Sequence, residues 1–367
     1  MKVLITGGAG FIGSHITDKL VNEGYDVTIL DNLSGNEGKK PDYLNSRAKF
    51  IQGDVRDSRL IDNLVKEHEA IIHNAAAVGI AQSNYELNRF TEVNCLGTAN
   101  VLQAIINSKT KPRLIIPASN TTYGEGIYSC ETHGKFHPKI RTSDSIENYG
   151  FEPICTECYK PGKPIPTPER TSLDCNSVYA FTKKFQEENA ILLGKMYDFP
   201  VIALKYFNVF GPRQSLSNPY TGVSAIFMSR VKAGNIPTIY EDGKQTRDFI
   251  SVHDVVEANV SALNAKENSF HQGYNIGSGK PITIEDLASE ICLLHGREPK
   301  FEINNKFRAG DIRHCISDNS LVKKVLNWNP KISFKEGLKE IYEWSKTQES
   351  RDDFDKANRE LKERGLI

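Results

Sequence analysis

The sequence predicts an α/β protein: a doubly wound parallel sheet with a smaller C-terminal lobe and a cysteine-containing insertion. Three observations carry this. An apolar strand at the N-terminus runs into a glycine-rich turn and an amphipathic helix. Strand and helix patterns then alternate, with polar residues at the strand C-termini, where open parallel sheets bind ligands. From about residue 205 the pattern changes.

Lys2-Val3-Leu4-Ile5-Thr6 is the first strand, followed by Gly7-Gly8-Ala9-Gly10-Phe11-Ile12-Gly13 and a helix through about Asn22. Gly24 ends that helix, and Val27–Leu30 is the next strand, closing at Asp31. Strand, glycine turn, helix, strand and terminal acid make a dinucleotide-binding βαβ unit of the Rossmann type. The glycines let the backbone approach a pyrophosphate at the positive end of the helix. Asp31 can accept from a ribose hydroxyl and would repel a 2′-phosphate, which favours NAD over NADP. Phe50–Gln52 is a strand leading to Asp54, a carboxylate placed to face the adenine. Ala70–His73 is another, followed by Asn74-Ala75-Ala76-Ala77, small residues where a cofactor passes close to the backbone. A helix from about Phe90 to Ser108 contains Asn94, and Arg113–Ser119 is the next strand.

Asn176-Ser177-Val178-Tyr179-Ala180-Phe181-Thr182-Lys183 reads as a capped helix start with Tyr179 and Lys183 one turn apart on one face. A phenol with an ordinary pKa of about 10 is a poor base at neutral pH. An ammonium one turn away, joined by a second positive charge, lowers it toward the value a base for an alcohol needs.

The 367 residues divide into a dinucleotide-binding domain over 1–204 and a mainly substrate-binding lobe over 205–347. Residues 248–264 are expected to return to the first domain, and 348–367 form a charged helical tail. Ile284–Leu294 and Lys335–Ser345 are amphipathic helices of the lobe. Lys+Arg and Asp+Glu both total 46, so no net charge draws the chain to nucleic acid or to a membrane surface. No apolar run approaches the roughly 20 residues of a membrane span. Glycines interrupt the N-terminal apolar run, so it is a strand rather than a signal peptide, and a cytoplasmic location is expected.

The chain resembles the extended short-chain dehydrogenase/reductase family, within it the nucleotide-sugar epimerases and dehydratases. The carriers are Thr6–Gly13, Asp31-Asn32-Leu33-Ser34, Ser119-Asn120-Thr121-Thr122-Tyr123-Gly124 and Tyr179-x-x-x-Lys183. Tyr206–Arg213, Arg247-Asp248-Phe249-Ile250 and Arg308-Ala309-Gly310-Asp311 continue the match. The resemblance implies Ser119, Tyr179 and Lys183 as the catalytic set, with Thr121 a second hydroxyl over the sugar. It implies NAD on Gly7, Gly10, Phe11, Ile12, Gly13, Asp31, Asn32, Asp54, Val55, Ala75 and Asn94, besides Tyr179 and Lys183. Asn208, Arg247 and Arg308 match positions that hold the nucleotide diphosphate, a role that suits the bidentate grip of arginine on phosphate. Cys315 stands where strict glucose/galactose epimerases carry a bulky tyrosine, which implies a wider sugar pocket. A homodimer through the Asn94 and Tyr179 helices is the usual arrangement of such proteins.

The implied reaction is 4-epimerisation of a dTDP- or UDP-hexose or 6-deoxyhexose through a transient 4-keto sugar. A 4,6-dehydratase is the rival, but those enzymes place an Asp-Glu pair directly after the hydroxyl residue, where this chain has Asn120 and Thr121. A non-catalytic NAD-binding regulator is the other alternative, though such proteins lose the tyrosine or lysine that this chain keeps.

The stretch between Tyr123 and Tyr179 is longer than in ordinary 4-epimerases; with the ending Glu360–Leu366 it resembles the dTDP-L-rhamnose 4-epimerase subgroup. Its insertion, about 125–172, contains Cys130, His133, Cys155 and Cys158, spaced Cys-x2-His, 21 residues, Cys-x2-Cys. Two such ligand pairs suit a closed tetrahedral Zn2+ site that orders a loop poor in core residues. Cys175 is the reserve ligand.

Overall fold

The computed structural model describes every residue except Thr221, Ala309 and Ile367. In the N-terminal half, strands β1 (Lys2–Thr6), β2 (Asp26–Asp31), β3 (Lys49–Gln52), β4 (Ala70–His73) and β5 (Arg113–Ser119) alternate with helices. The helices are α1 (Phe11–Asn22), α2 (Ser58–Glu67), α3 (Ile80–Ser83), α4 (Leu87–Phe90) and α5 (Gly97–Asn107). The insertion forms β6 (Ile127–Cys130), β7 (Gly134–Phe136), α6 (Ser143–Tyr149) and β8 (Lys163–Ile165). After α7 (Val178–Tyr197) come β9 (Val201–Tyr206), β10 (Asn208–Phe210), α8 (Val223–Lys232), β11 (Thr238–Ile239), β12 (Thr246–Ser251) and α9 (Val252–Leu263). The remainder is β13 (Gln272–Ile276), β14 (Pro281–Thr283), α10 (Ile284–Leu294), β15 (Glu302–Ile303), α11 (Ser320–Leu326), α12 (Phe334–Ser345) and α13 (Phe354–Glu363).

Seven strands make one parallel sheet in the order β13-β9-β5-β4-β1-β2-β3. Because it is covered on both faces, its strands are continuous apolar runs whose side chains divide by parity. Val3, Ile5, Ile29, Ile72 and Ile202 join one core with residues of α1 and α9. Leu4, Leu30, Ile71, Leu114 and Val201 join the other with α2 and α5. The order reverses between β1 and β4, so the crevice for a ligand opens above their C-terminal ends. The lobe has its own core, in which Phe210 and Phe249 meet Phe227, Leu287 and Ile341.

Three expectations change. The boundary after residue 204 falls inside β9, where Lys205 and Tyr206 still pair with β5 and β13. The returning segment starts later and runs further than 248–264: residues through Ser251 belong to the lobe's β10-β12-β14 sheet, α9 returns as expected and packs on α1, β5 and β9, and β13 at 272–276 then closes the edge of the central sheet. Gln272 and Asn275 hid that strand, because an edge strand tolerates polar interruptions. The single helix expected from Phe90 starts earlier, at α4, and passes through a π-helical turn at Thr91–Leu96 before α5. Helices α10 and α12 match the sequence reading, the latter starting on a Ser333/Glu336 capping box.

Candidate active site and a cysteine–histidine cluster

The glycine turn leaves no room for side chains. A Cβ at Gly7, whose φ is +69°, would lie 2.7 Å from the Ala75 nitrogen, and one at Gly13 only 2.2 Å from the Gly7 carbonyl oxygen. No side chain caps α1 at Gly10, so its first-turn N–H groups are left without a side-chain partner from the cap. Asp31 accepts from the N–H groups of Ala9 (3.0 Å) and Leu33 (2.7 Å), while burial pushes its carboxyl up. These features fit a pyrophosphate against the turn and a ribose at Asp31.

The other expected cofactor residues take varied places. Phe11 lies near Gly211, and Ile12 packs on the core of that sheet face. The Ala75 N–H donates to Thr6 Oγ1 at 3.2 Å, and Val55 is buried between β2, α2 and α5. The Asp54 carboxylate is engaged by Arg56 (2.9 Å) and by Asn32 Nδ2 (2.8 Å), bonds that hold it at about 2. Asn94 is fully buried: Ala77 N–H donates to its Oδ1 (2.7 Å), and its Nδ2 donates to the Ala77 carbonyl and Thr182 Oγ1 (2.9 Å). Its action on a cofactor is therefore through the Ala75–Ala77 backbone, which it ties to α7.

Ser177 caps α7 by accepting from the Ala180 N–H at 3.2 Å. Two residues that sequence reasoning missed share this work. Ser83 Oγ accepts from the Tyr179 N–H (2.9 Å), and Asn84 Oδ1 accepts from the Val178 N–H (3.1 Å). Their only signal is two small polar residues in the Ile80–Asn84 turn. Lys183 Nζ donates to the Pro117 carbonyl on β5 at 3.0 Å, which fixes α7 beside the end of that strand. Ser119 and Thr121 lie there, buried, with their hydroxyls 2.9 Å apart, and Ser119 is near enough to the Tyr179 phenol to favour its ionised form. Burial pushes the Tyr179 phenol up to about 12, with Ser119 acting the other way; the lowering expected of Lys183 and a second positive charge works against that burial. Burial also lowers Lys183 to about 8.

Asn208 Oδ1, at the start of β10, is a buried acceptor with no partner among the described residues. Arg247 Nη1 donates to the carbonyls of Thr246 (2.9 Å) and Arg313 (3.3 Å), and Arg308 pairs with Asp311 at 3.0 Å. Cys315 is only 5 % exposed and sits in the core with Tyr123, its thiol pushed up to about 12 by burial.

The insertion brings Cys130, His133, Cys155 and Cys158 together, their ligand atoms all within 4.8 Å of one another. Cys130 Sγ is 3.6 Å from Cys158 Sγ and 3.7 Å from His133 Nδ1, which is 3.5 Å from Cys155 Sγ. Zn–S bonds of about 2.3 Å and Zn–N bonds of about 2.0 Å at tetrahedral angles place ligand atoms roughly 3.5–3.8 Å apart. The N–H groups of His133 and Thr132 hold the Cys130 thiol at about 6, and those of Cys158 and Glu157 lower Cys155. Both favour the thiolate a metal needs. Cys175 lies elsewhere, its thiol against the Thr122 carbonyl at 3.8 Å, and is not a ligand of this cluster.

Residues 3–143 match the NAD dependent epimerase/dehydratase family, and residues 149–341 match GDP-mannose 4,6 dehydratase. The dTDP-L-rhamnose 4-epimerase of Burkholderia thailandensis is 33% identical over 94% of this chain and 94% of its own length. The crystal structure of UDP-glucose 4-epimerase from Thermotoga maritima with UDP-glucose superposes with a TM-score of 0.78 at 31% identity, over 94% of this chain and 99% of that one. UDP-N-acetylglucosamine 4-epimerase from Methanobrevibacter ruminantium, in complex with UDP-N-acetylmuramic acid, gives 0.77 at 28% identity, over 95% and 99%. With a relative this similar over nearly its whole length, and with the glycine turn and the Ser119–Tyr179–Lys183 arrangement in place, the chain belongs to the NAD dependent epimerase/dehydratase family.

Proposed function

We propose that this protein is an NAD-dependent 4-epimerase of a nucleotide-activated hexose or 6-deoxyhexose, carried by dTDP or UDP. The observation that carries this is the buried hydroxyl pair Ser119–Thr121 beside Tyr179, with Asn120 and Thr121 where a dehydratase needs an acid and a base. NAD, when bound, supplies a reversible hydride acceptor. Tyr179 takes the proton from the sugar C4 hydroxyl and returns it after the 4-keto sugar has turned over in the pocket. Ser119 holds that oxygen, Thr121 steadies Ser119, and the Lys183 cation favours the phenolate. Arg247, Arg308 and the unpaired Asn208 oxygen hold the nucleotide diphosphate end. Cys315, smaller than the tyrosine expected at its position, is the basis for a wider sugar pocket.

Cys130, His133, Cys155 and Cys158 hold one structural Zn2+ with no position open for water, so the metal takes no part in the redox chemistry. The seven cysteines are all free thiols, which suits a reducing cytoplasm. No helix among the described residues is long and apolar enough to cross a membrane. Leu87 and Leu96 near α4 and the π turn, with Phe181, Leu192 and Met196 on α7, are exposed apolar side chains on elements that pack together. They support a homodimer burying this face.

The test is incubation with a panel of dTDP- and UDP-sugars, with products resolved by NMR. C4 epimers at equilibrium are expected; stoichiometric 4-keto-6-deoxy sugar would establish the dehydratase reading, which the match of residues 149–341 favours. Elemental analysis should give about one zinc per chain, abolished in the Cys155→Ser/Cys158→Ser double variant.

A further inference from the structure

The cysteine–histidine cluster and the two arginines proposed to bind diphosphate are joined by one buried ion-pair network. Its centre is Arg313, whose side chain is 0% exposed. The guanidinium donates to Glu152 (2.8 Å), Glu241 (2.7 Å) and Asp242 (2.6 Å). Glu152 belongs to the insertion, three residues before Cys155. Its second carboxylate oxygen lies 3.2 Å from His314 Nε2, while His314 Nδ1 accepts from the Thr246 N–H at 3.2 Å. From the Cys130 side, the buried Tyr128 two residues earlier donates its hydroxyl to the His314 carbonyl at 3.4 Å. Both ligand segments of the cluster therefore grip residues 313 and 314.

The same residues hold the phosphate side. The Arg313 carbonyl accepts from Arg247 Nη1 at 3.3 Å, and its N–H donates to Glu125 at 2.6 Å. Glu125 pairs with Arg141 of the insertion (2.7 Å), which also pairs with Glu241 (3.0 Å) and donates to the Asp311 carbonyl (3.0 Å). Asp311 in turn holds Arg308. With so many charges out of water, loss of one partner leaves another uncompensated, so the network moves as a unit or not at all.

We propose that Arg313, Arg141 and Glu152 are positioning residues for Arg247 and Arg308, and that the metal acts through them on nucleotide-sugar affinity. The bound ion fixes the segments carrying Glu152 and Tyr128; these fix residues 313–314, and so the reach of both arginines. None of the bonds named here involves the glycine turn at residues 7–13. The proposal rests on the reading of Arg247 and Arg308 as diphosphate ligands and of the cluster as a metal site.

The experiment is calorimetric titration of NAD-loaded protein with UDP and dTDP, alongside steady-state kinetics and elemental analysis. Compared are wild type, chelator-stripped wild type, Glu152→Gln, Arg313→Lys, the stripped Glu152→Gln protein and Arg247→Met. Expected for Glu152→Gln are retained metal and NAD, UDP and dTDP binding weakened by about tenfold, and KM raised with kcat little changed. Chelator-stripped wild type should show the same loss, and the stripped variant no more than either alone, since one linkage is broken twice. Arg313→Lys, which keeps the charge but not the fork, should weaken binding as Glu152→Gln does. Unchanged affinity after stripping, additive losses, or loss of NAD together with the nucleotide would overturn the proposal. Unchanged affinity in Arg247→Met would instead overturn the diphosphate site, and absence of metal from wild type would overturn the metal reading.

Discussion

Lys183 Nζ donates to the Pro117 carbonyl at 3.0 Å, so α7 is pinned to the strand that ends in Ser119. This cation is buried, and burial lowers its pKa from 10.5 to about 8. The folded state therefore binds the proton less tightly than the unfolded chain does. Between about pH 8 and pH 10.5 the unfolded chain holds more protons, and the Lys183 contribution to stability rises with pH. Below pH 8 the penalty of the buried charge is fully present. Lys183→Met should accordingly melt above wild type at neutral pH, with the gap closing as pH approaches 10.5 in a thermal melt series. A gap independent of pH would contradict the lowered value.

Tyr179→Phe removes one oxygen from a helix whose start is held by the backbone bonds to Ser83 and Asn84. The variant should keep its fold and its NAD and lose roughly 10²–10⁴-fold in kcat, the range of a general acid–base group. Turnover near wild type would mean another group takes the C4 proton.

Gly13→Ala places a methyl 2.2 Å from the Gly7 carbonyl oxygen, and backbone cannot yield as a flexible side chain would. Forcing the turn apart should cost about 1–3 kcal/mol and distort the pyrophosphate cradle. The check is NAD released from heat-denatured protein: the variant should carry little, whereas Gly24→Ala, whose Cβ meets nothing within 4 Å but whose φ of +84° is strained for alanine, should lose some stability and still carry the normal amount.

Cys315→Tyr should reduce turnover of N-acetylated or otherwise bulky sugars more than of small ones. The comparison is kcat/KM across the sugar panel. An equal loss on every substrate would assign Cys315 to packing with Tyr123 alone, the position its burial already gives it.

The sequence made the sheet legible wherever strands were buried on both faces, because Val3–Ile5, Ala70–Ile72 and Arg113–Ala118 can be little else. It hid β13, whose polar Gln272 and Asn275 break the apolar run; Asn275 is explained by distant partners, the Tyr123 hydroxyl donating to its Oδ1 at 2.8 Å and its Nδ2 donating to the Thr167 carbonyl at 2.8 Å. The motif residues Ser119, Thr121, Tyr179 and Lys183 do converge, since local spacing and strand-end position are written in the chain. The burial that raises the Tyr179 phenol was not legible, because it depends on distant segments. The four residues of the cysteine–histidine cluster were found from spacing alone. The Arg313 network was not, because Glu125, Glu152 and Glu241 come from segments far apart in sequence.

The central claim, epimerisation by transient oxidation at C4, is tested most directly with a nucleotide sugar deuterated at C4. The label should remain on C4 of the epimer after many turnovers in ordinary water, with no accumulation of NADH. Loss of the label to solvent with epimerisation intact would mean proton removal at carbon rather than hydride transfer, and would contradict the account.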